Sequence, residues 1–122
     1  MSRPDFQHLR LRMVKDVAVV EIRTRDLQGP TLAQELGTEL ALVAAQEWAR
    51  RLLVNFRRVA FLSSTGLAAI FKLVSQARAE GREVKLCGMK NGVRLGAEIV
   101  GLPKLVEIHD DEAAALRTFA RA

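Results

Sequence analysis

Short continuous apolar runs alternate with stretches whose apolar residues recur every three or four positions. That alternation restricts the chain to an α/β fold. Val17-Ala18-Val19-Val20 opens one run and Arg51-Leu52-Leu53-Val54-Asn55-Phe56 forms another; unbroken apolar character is expected of strands covered on both faces. Between them, Leu32, Leu36, Leu40 and Val43 keep a helical spacing. A second helix carries Leu67, Ile70, Val74 and Ala77 on one face and closes at Gly81, a left-handed C-cap. Leu9 to Met13 and Val17 to Arg23 read as strands joined by the turn Val14-Lys15-Asp16. Gly29-Pro30 breaks the chain, and Thr31-Leu32-Ala33-Gln34 reads as a capping box. Glu83 to Cys87 is a further strand. Asn91 to Val100 is a short helix ended by Gly101 and Pro103, and Leu105 to Ile108 is a last strand. Asp110 is expected to cap a final helix, with Asp111 and Glu112 in its first turn, where carboxylates suit the helix dipole. Strands and helices alternating in this way imply a mixed, mainly parallel sheet of about five strands with about four helices.

The 122 residues are expected to form one domain over 1–122, with its core at about 8–120. No linker, repeat or low-complexity segment divides them. With 49% hydrophobic and 27% charged residues the composition is that of an ordinary globular domain. No apolar run is long enough to span a bilayer, so membrane insertion is not expected. Met1-Ser2-Arg3-Pro4-Asp5-Phe6 lacks an apolar signal core, which points to the cytoplasm. The single cysteine, Cys87, excludes an internal disulfide and fits a reducing compartment; within a strand it reads as a buried residue. The net charge of +5 and the pI near 10.1 raise the question of nucleic acid. The arginines are scattered, however, tyrosine is absent and Trp48 is the only tryptophan, so a stacking platform for bases is poorly supported. An acidic patch on a protein partner is an equally natural target.

Catalytic constellations are sparse. His8 and His109 lie near opposite ends without ligand spacing, and His109-Asp110-Asp111-Glu112 reads as a loop followed by a charged first helical turn. Neither a metal site nor a cofactor is expected. A nucleophilic serine needs an oriented base, and there is no Gly-x-Ser-x-Gly elbow. Gly88-Met89-Lys90-Asn91-Gly92 has glycines without the Gly-Lys-Ser/Thr ending that holds phosphate and magnesium, and reads as a strand-to-helix turn. An enzyme is therefore not the expected class.

Three consecutive hydroxyls, Ser63-Ser64-Thr65, separate an apolar strand from the second helix. Such residues cap helices by accepting from the free N–H groups of the first turn. The same end favours negative charge, so a phosphate added there would be welcome within the chain, while a docked partner would meet a new dianion. Phe61-Leu62-Ser63-Ser64-Thr65-Gly66-Leu67 resembles the STAS domain motif of anti-sigma factor antagonists: an apolar strand, a short turn, then Asp-Ser-Ser/Thr-Gly-Leu opening a helix. The resemblance extends to Leu52-Leu53-Val54-Asn55-Phe56, to Gly81-Arg82-Glu83-Val84-Lys85-Leu86, to Val93 through Gly101-Leu102, and to Asp111-Glu112-Ala113.

The resemblance implies a non-enzymatic protein acting by protein–protein binding. Its partner would be an anti-sigma factor that is also a serine kinase, and its phosphoacceptor Ser64, with Ser63 and Thr65 as alternatives. A phosphatase would reset it. The partner surface is expected at Ser63, Ser64, Thr65, Gly66 and Leu67, with Asp26, Leu27 and Gln28 as weaker candidates. Two residues depart from the family pattern: Ser63 stands where the motif has aspartate, and Asn55 where the preceding strand often has one. Ser63 can still cap the helix, but the negative charge beside the acceptor is lost. The other role implied is that of an unphosphorylated subunit or scaffold, bound to an ABC-transporter ATPase or in a stressosome-type assembly. A homodimer through an apolar patch around Leu67 or Leu102 is a further expectation.

Overall fold

The computed structural model describes residues 6–119. The segment 1–5, read above as lacking a signal core, lies outside the described residues, as does Ala120 at the expected core limit. Strands β1 (Leu9–Val14) and β2 (Val17–Ile22) form an antiparallel hairpin. Strands β4 (Arg51–Asn55), β6 (Glu83–Cys87) and β7 (Glu107–His109) add in parallel, giving the order β1-β2-β4-β6-β7. This is the five-stranded, mostly parallel sheet that the alternating pattern predicts. Helices α1 (Pro30–Ala44), α2 (Ser64–Ala79), α3 (Asn91–Ile99) and α4 (Glu112–Leu116) complete the expected four.

Strand alternation divides the core between two faces. Ala18, Val20, Ile22, Leu52, Val54 and Leu86 point into the larger core, where Leu36, Leu40 and Val43 of α1 and Ile70, Val74 and Ala77 of α2 cover them. Val17, Val19, Leu53 and Cys87 point the other way and are covered by Ala115 of α4 and by Phe119. Each fully buried Leu, Ile or Val contributes about 1.5–3 kcal/mol. Lys85 is buried on the second face. Its Nζ donates to Thr118 O at 2.9 Å and to Glu107 Oε1 at 3.2 Å, and sits 5.2 Å above the Phe119 ring. A buried ammonium with these partners is satisfied, and it fastens the C-terminal segment to the sheet.

A second, two-stranded parallel ladder lies beside this sheet. It pairs β3 (Asp26–Leu27), which the sequence reading did not assign, with β5 (Phe61–Leu62), the end of the apolar strand expected before the hydroxyls. Three local expectations are corrected. The capping box at Thr31 does not form, because Pro30 already occupies the first helical position and Gly29 precedes it as N-cap without a side-chain bond. The last strand begins at Glu107, not Leu105: a 3₁₀ turn at Leu102–Lys104 takes the N–H groups of Leu105 and Val106 onto Leu102 O. The cap of α4 is Asp111, not Asp110; Asp111 has the required extended backbone and accepts from Ala114 N at 2.8 Å.

Candidate functional site at the start of helix α2

Ser63 is the N-cap of α2. Its backbone is extended, its Oγ accepts from Gly66 N at 3.3 Å, and its carbonyl accepts from Leu67 N at 2.9 Å. Ser63 Oγ also shares a hydrogen bond with Thr65 Oγ1 at 2.9 Å. The cap is held from outside the helix as well, because Ser63 N donates to Leu27 O at 3.0 Å in continuation of the β3–β5 ladder. Two of the three hydroxyls are thus engaged with each other. Ser64 is exposed at the first helical position, and its hydroxyl has no side-chain partner among the described residues.

Gly66 is buried, and a Cβ there would come within 2.5 Å of Leu62 Cδ1. The motif glycine therefore lets the first turn of α2 settle onto β5. Leu67 is 7% exposed and packs on α3, where a Cβ on Gly96 would stand 3.1 Å from its Cδ1. Ser64, Leu67, Ala68, Phe71, Lys72 and Val100 line a mostly apolar groove of about 320 Å³ between α2 and the end of α3. Beyond Val100, Ile99 is 77% exposed and Leu95 is also exposed. The sequence reading did not select these residues. The signal was present in α3, where Val93 and Ala97 supply the buried face and leave Leu95 and Ile99 as a second apolar stripe.

Among the weaker candidates, Asp26 and Gln28 are exposed, whereas Leu27 is only 1% exposed. Leu27 belongs to the larger core and presents its carbonyl, not its side chain, to the site. Of the two centres expected for an apolar dimer patch, Leu102 is fully buried, whereas Leu67 lines the apolar groove, with Leu95, Ile99 and Val100 exposed nearby on α3 and just beyond its end.

On the second face of the sheet, at the carboxyl ends of β2, β4 and β6, lies a polar cleft of about 760 Å³. Several of its charged groups are paired. Arg12 pairs with Glu112, Glu21 takes Arg57 at 2.6 Å and Arg58 at 3.2 Å, and Lys90 Nζ donates to Arg57 O. At its floor the buried Asn55 accepts from Arg57 N at 2.9 Å and donates to Glu112 Oε1 at 3.2 Å.

Neither histidine bonds the hydroxyl cluster. His8 lies between Thr24 Oγ1 and Glu35, and His109 bonds Glu107 at 2.9 Å. That bond, reinforced by one from Lys85, holds the Glu107 carboxyl below its usual range. The Cys87 thiol is pushed up to about 12, first by burial and then by the charges of Glu112 and Asp111. No group of His, Cys, Asp and Glu among the described residues is arranged to hold a metal ion, and no helix among them is long and apolar enough to cross a membrane.

Comparison with known proteins agrees with this architecture. BtrV of Bordetella bronchiseptica, named as an anti-sigma factor antagonist, is 30% identical over 90 residues, covering 74% of this chain and 77% of BtrV. An anti-sigma factor antagonist structure from Thermotoga maritima superposes with a TM-score of 0.79 at 16% identity, covering 94% of this chain and 97% of that one. SpoIIAA, a Bacillus cell-fate determinant, superposes in its phosphorylated form with a TM-score of 0.66 at 17% identity (91% and 99% covered). Its unphosphorylated form gives 0.70 at 18% identity (93% and 99% covered). Residues 26–115 match the STAS domain model, and the chain belongs to the STAS domain family.

Proposed function

We propose that this protein is an anti-sigma factor antagonist: it binds an anti-sigma factor that is also a serine kinase, and phosphorylation of Ser64 ends the binding. The observation that carries this reading is the selective freedom of Ser64. Ser63 and Thr65 are tied to each other and to the cap, while Ser64 stands exposed on the rim of the apolar groove. A partner seated in that groove would cover Ser64. A phosphate there brings about −1.5 to −2 charges into a desolvated contact. A loss of about 3 kcal/mol would weaken binding on the order of a hundredfold. The similarity to BtrV and to SpoIIAA, solved with and without phosphate, supports the same reading. In this reading the domain spans 1–122, catalyses nothing itself, works in the cytoplasm, and is reset by a phosphatase.

Calorimetric titration of the cognate kinase tests it. Ser64→Ala should bind as the wild type does, and Ser64→Asp should bind at least tenfold more weakly; equal affinities would remove the switch. Mass spectrometry of protein from native cells should find phosphate on Ser64, not on Ser63 or Thr65.

Ser63 in place of the motif aspartate favours one other reading, an unphosphorylated subunit or scaffold using the same surface. A copurifying transporter ATPase or stressosome component, with 63–65 unmodified under all growth conditions, would select it. Ser63→Asp separates the two readings further: a kinase that needs the carboxylate should phosphorylate Ser64 faster in that variant.

A further inference from the structure

We propose that the end of the domain carrying Ser64 docks against an acidic protein surface, with Arg23, Arg25, Arg57 and Arg58 gripping its carboxylates around the exposed ring of Phe61. The inference rests on the partner-binding reading above and names the chemistry of the partner. Two loops supply the arginines, and the backbone makes them one surface. Arg25 O accepts from Ala60 N at 2.8 Å and from Phe61 N at 3.3 Å, and two residues further along each strand Ser63 N reaches Leu27 O. Arg57 and Arg58 share the single carboxylate of Glu21. Arg23 and Arg25 are exposed and form no ion pair among the described residues, so the fold gives their guanidinium groups no task. Among the described residues the one carboxylate paired with any of the four is Glu21, and Asp26 is the acidic residue in the same loop as Arg23 and Arg25, which leaves a positive surplus beside the hydroxyls.

Phe61 supplies the second observation. It is 48% exposed although its neighbours Val59 and Leu62 pack inward, so an aromatic ring stands partly in water on the segment that follows Arg57 and Arg58 and whose backbone bonds Arg25. Arginine and aromatic residues are the types enriched at protein interfaces, and aromatic anchors fill partner pockets. A nucleic-acid backbone fits less well: Asp26 lies within the patch, and one isolated ring gives no series on which bases could stack. The occupant is thus a carboxylate-rich protein face with an apolar socket for Phe61.

The test uses the full chain and the cognate anti-sigma kinase in stopped-flow association. Arg23→Glu/Arg25→Glu removes two unpaired cations without touching the core. The Lys15→Glu/Arg50→Glu control makes the same change in net charge at the opposite end of the sheet. The first variant should associate at least about tenfold more slowly at low salt and lose most of the salt dependence, while the control changes less than about twofold. Phe61→Ala should speed dissociation with the association rate nearly intact. Equal slowing by both charge variants, or by neither, overturns the docking proposal. A labelled DNA duplex bound by the wild type and released by Arg23→Glu/Arg25→Glu, with kinase association unchanged, overturns it in favour of nucleic acid. A wild type that binds the kinase and is blocked by Ser64→Asp, yet ignores the arginine reversal, overturns this proposal and leaves the antagonist reading standing. A wild type that does not bind the kinase removes both.

Discussion

Asn55 Nδ2 donates to Glu112 Oε1 across 3.2 Å, so the carboxyl end of β4 is fastened to the first residue of α4. The other end of the same amide accepts from Arg57 N, which turns the chain toward the loop before β5. The amide supplies both, a donor for Glu112 and an acceptor for Arg57, where an ionised carboxylate could only accept. Asparagine at this position therefore has a local role in this chain.

Asn55→Asp should destabilise the protein by about 1–3 kcal/mol, because it sets two carboxylates against each other in a buried site. Those carboxyls would have raised pKa values in the folded state, so the loss should grow as pH rises from 4 to 8. Glu112→Gln in the same chain should recover most of it. Urea denaturation at the two pH values checks both statements; a loss independent of pH would refute the charge argument.

Gly88 and Gly81 offer a matched pair. Both have positive φ, +75° and +74°, but a Cβ at Gly88 would stand 2.6 Å from Asn55 Oδ1 and one at Gly81 would meet nothing. Gly81→Ala should cost the left-handed backbone term alone, about 1–2 kcal/mol. Gly88→Ala should cost that and the clash with a buried amide, so its denaturation midpoint should lie clearly lower.

Removing the cap of α2 should be measurable without any partner. Ser63→Ala loses the bond to Gly66 N and should cost about 1 kcal/mol. Ser63→Asp retains an acceptor and adds a favourable charge at the helix start, so its stability should stay within about 0.5 kcal/mol of wild type. A Ser63→Ala variant as stable as Ser63→Asp would show that the ladder contact through Ser63 N carries the helix start by itself.

Cys87 should make stability fall in alkali. Its folded pKa, pushed up to about 12, lies above the ordinary 9.0, so the neutral thiol favours the folded state fully below pH 9. That advantage is lost as pH rises from 9 toward 12, at about 1.4 kcal/mol per pH unit. The chain has no tyrosine, so no phenol titrates in the same range. Cys87→Ala should flatten the decline between pH 9 and 11. In the native protein the thiol should resist maleimide until the protein unfolds.

The layered fold was legible because it rests on periodicity. Val17 to Val20 announced a strand covered on both faces, and Leu36, Leu40 and Val43 announced the buried stripe of α1. The hydroxyl cluster was legible because capping chemistry is local. What escaped were features set by distant segments. Asp26–Leu27 is too short to carry a strand signature, and it pairs with Phe61–Leu62, the end of the apolar strand read before the hydroxyls, because the β2–α1 and β4–α2 loops leave the sheet side by side. Leu27 stands as a weaker candidate for the partner surface in the sequence, yet tertiary packing draws its side chain into the core. Asp110 and Asp111 are equivalent caps in sequence, and only the length of β7 decides between them.

The two-residue ladder between β3 and β5 has a consequence for transplantation. Three N–H groups immediately before α2, those of Ala60, Phe61 and Ser63, find their acceptors on Arg25 and Leu27, more than thirty residues upstream. The hydroxyl segment is accordingly not a portable cassette. Residues 57–67 grafted alone into another scaffold would arrive with orphaned donors and a loosely seated helix start. Residues 23–28 must travel with them, and insertions or deletions in either loop will be felt at Ser64.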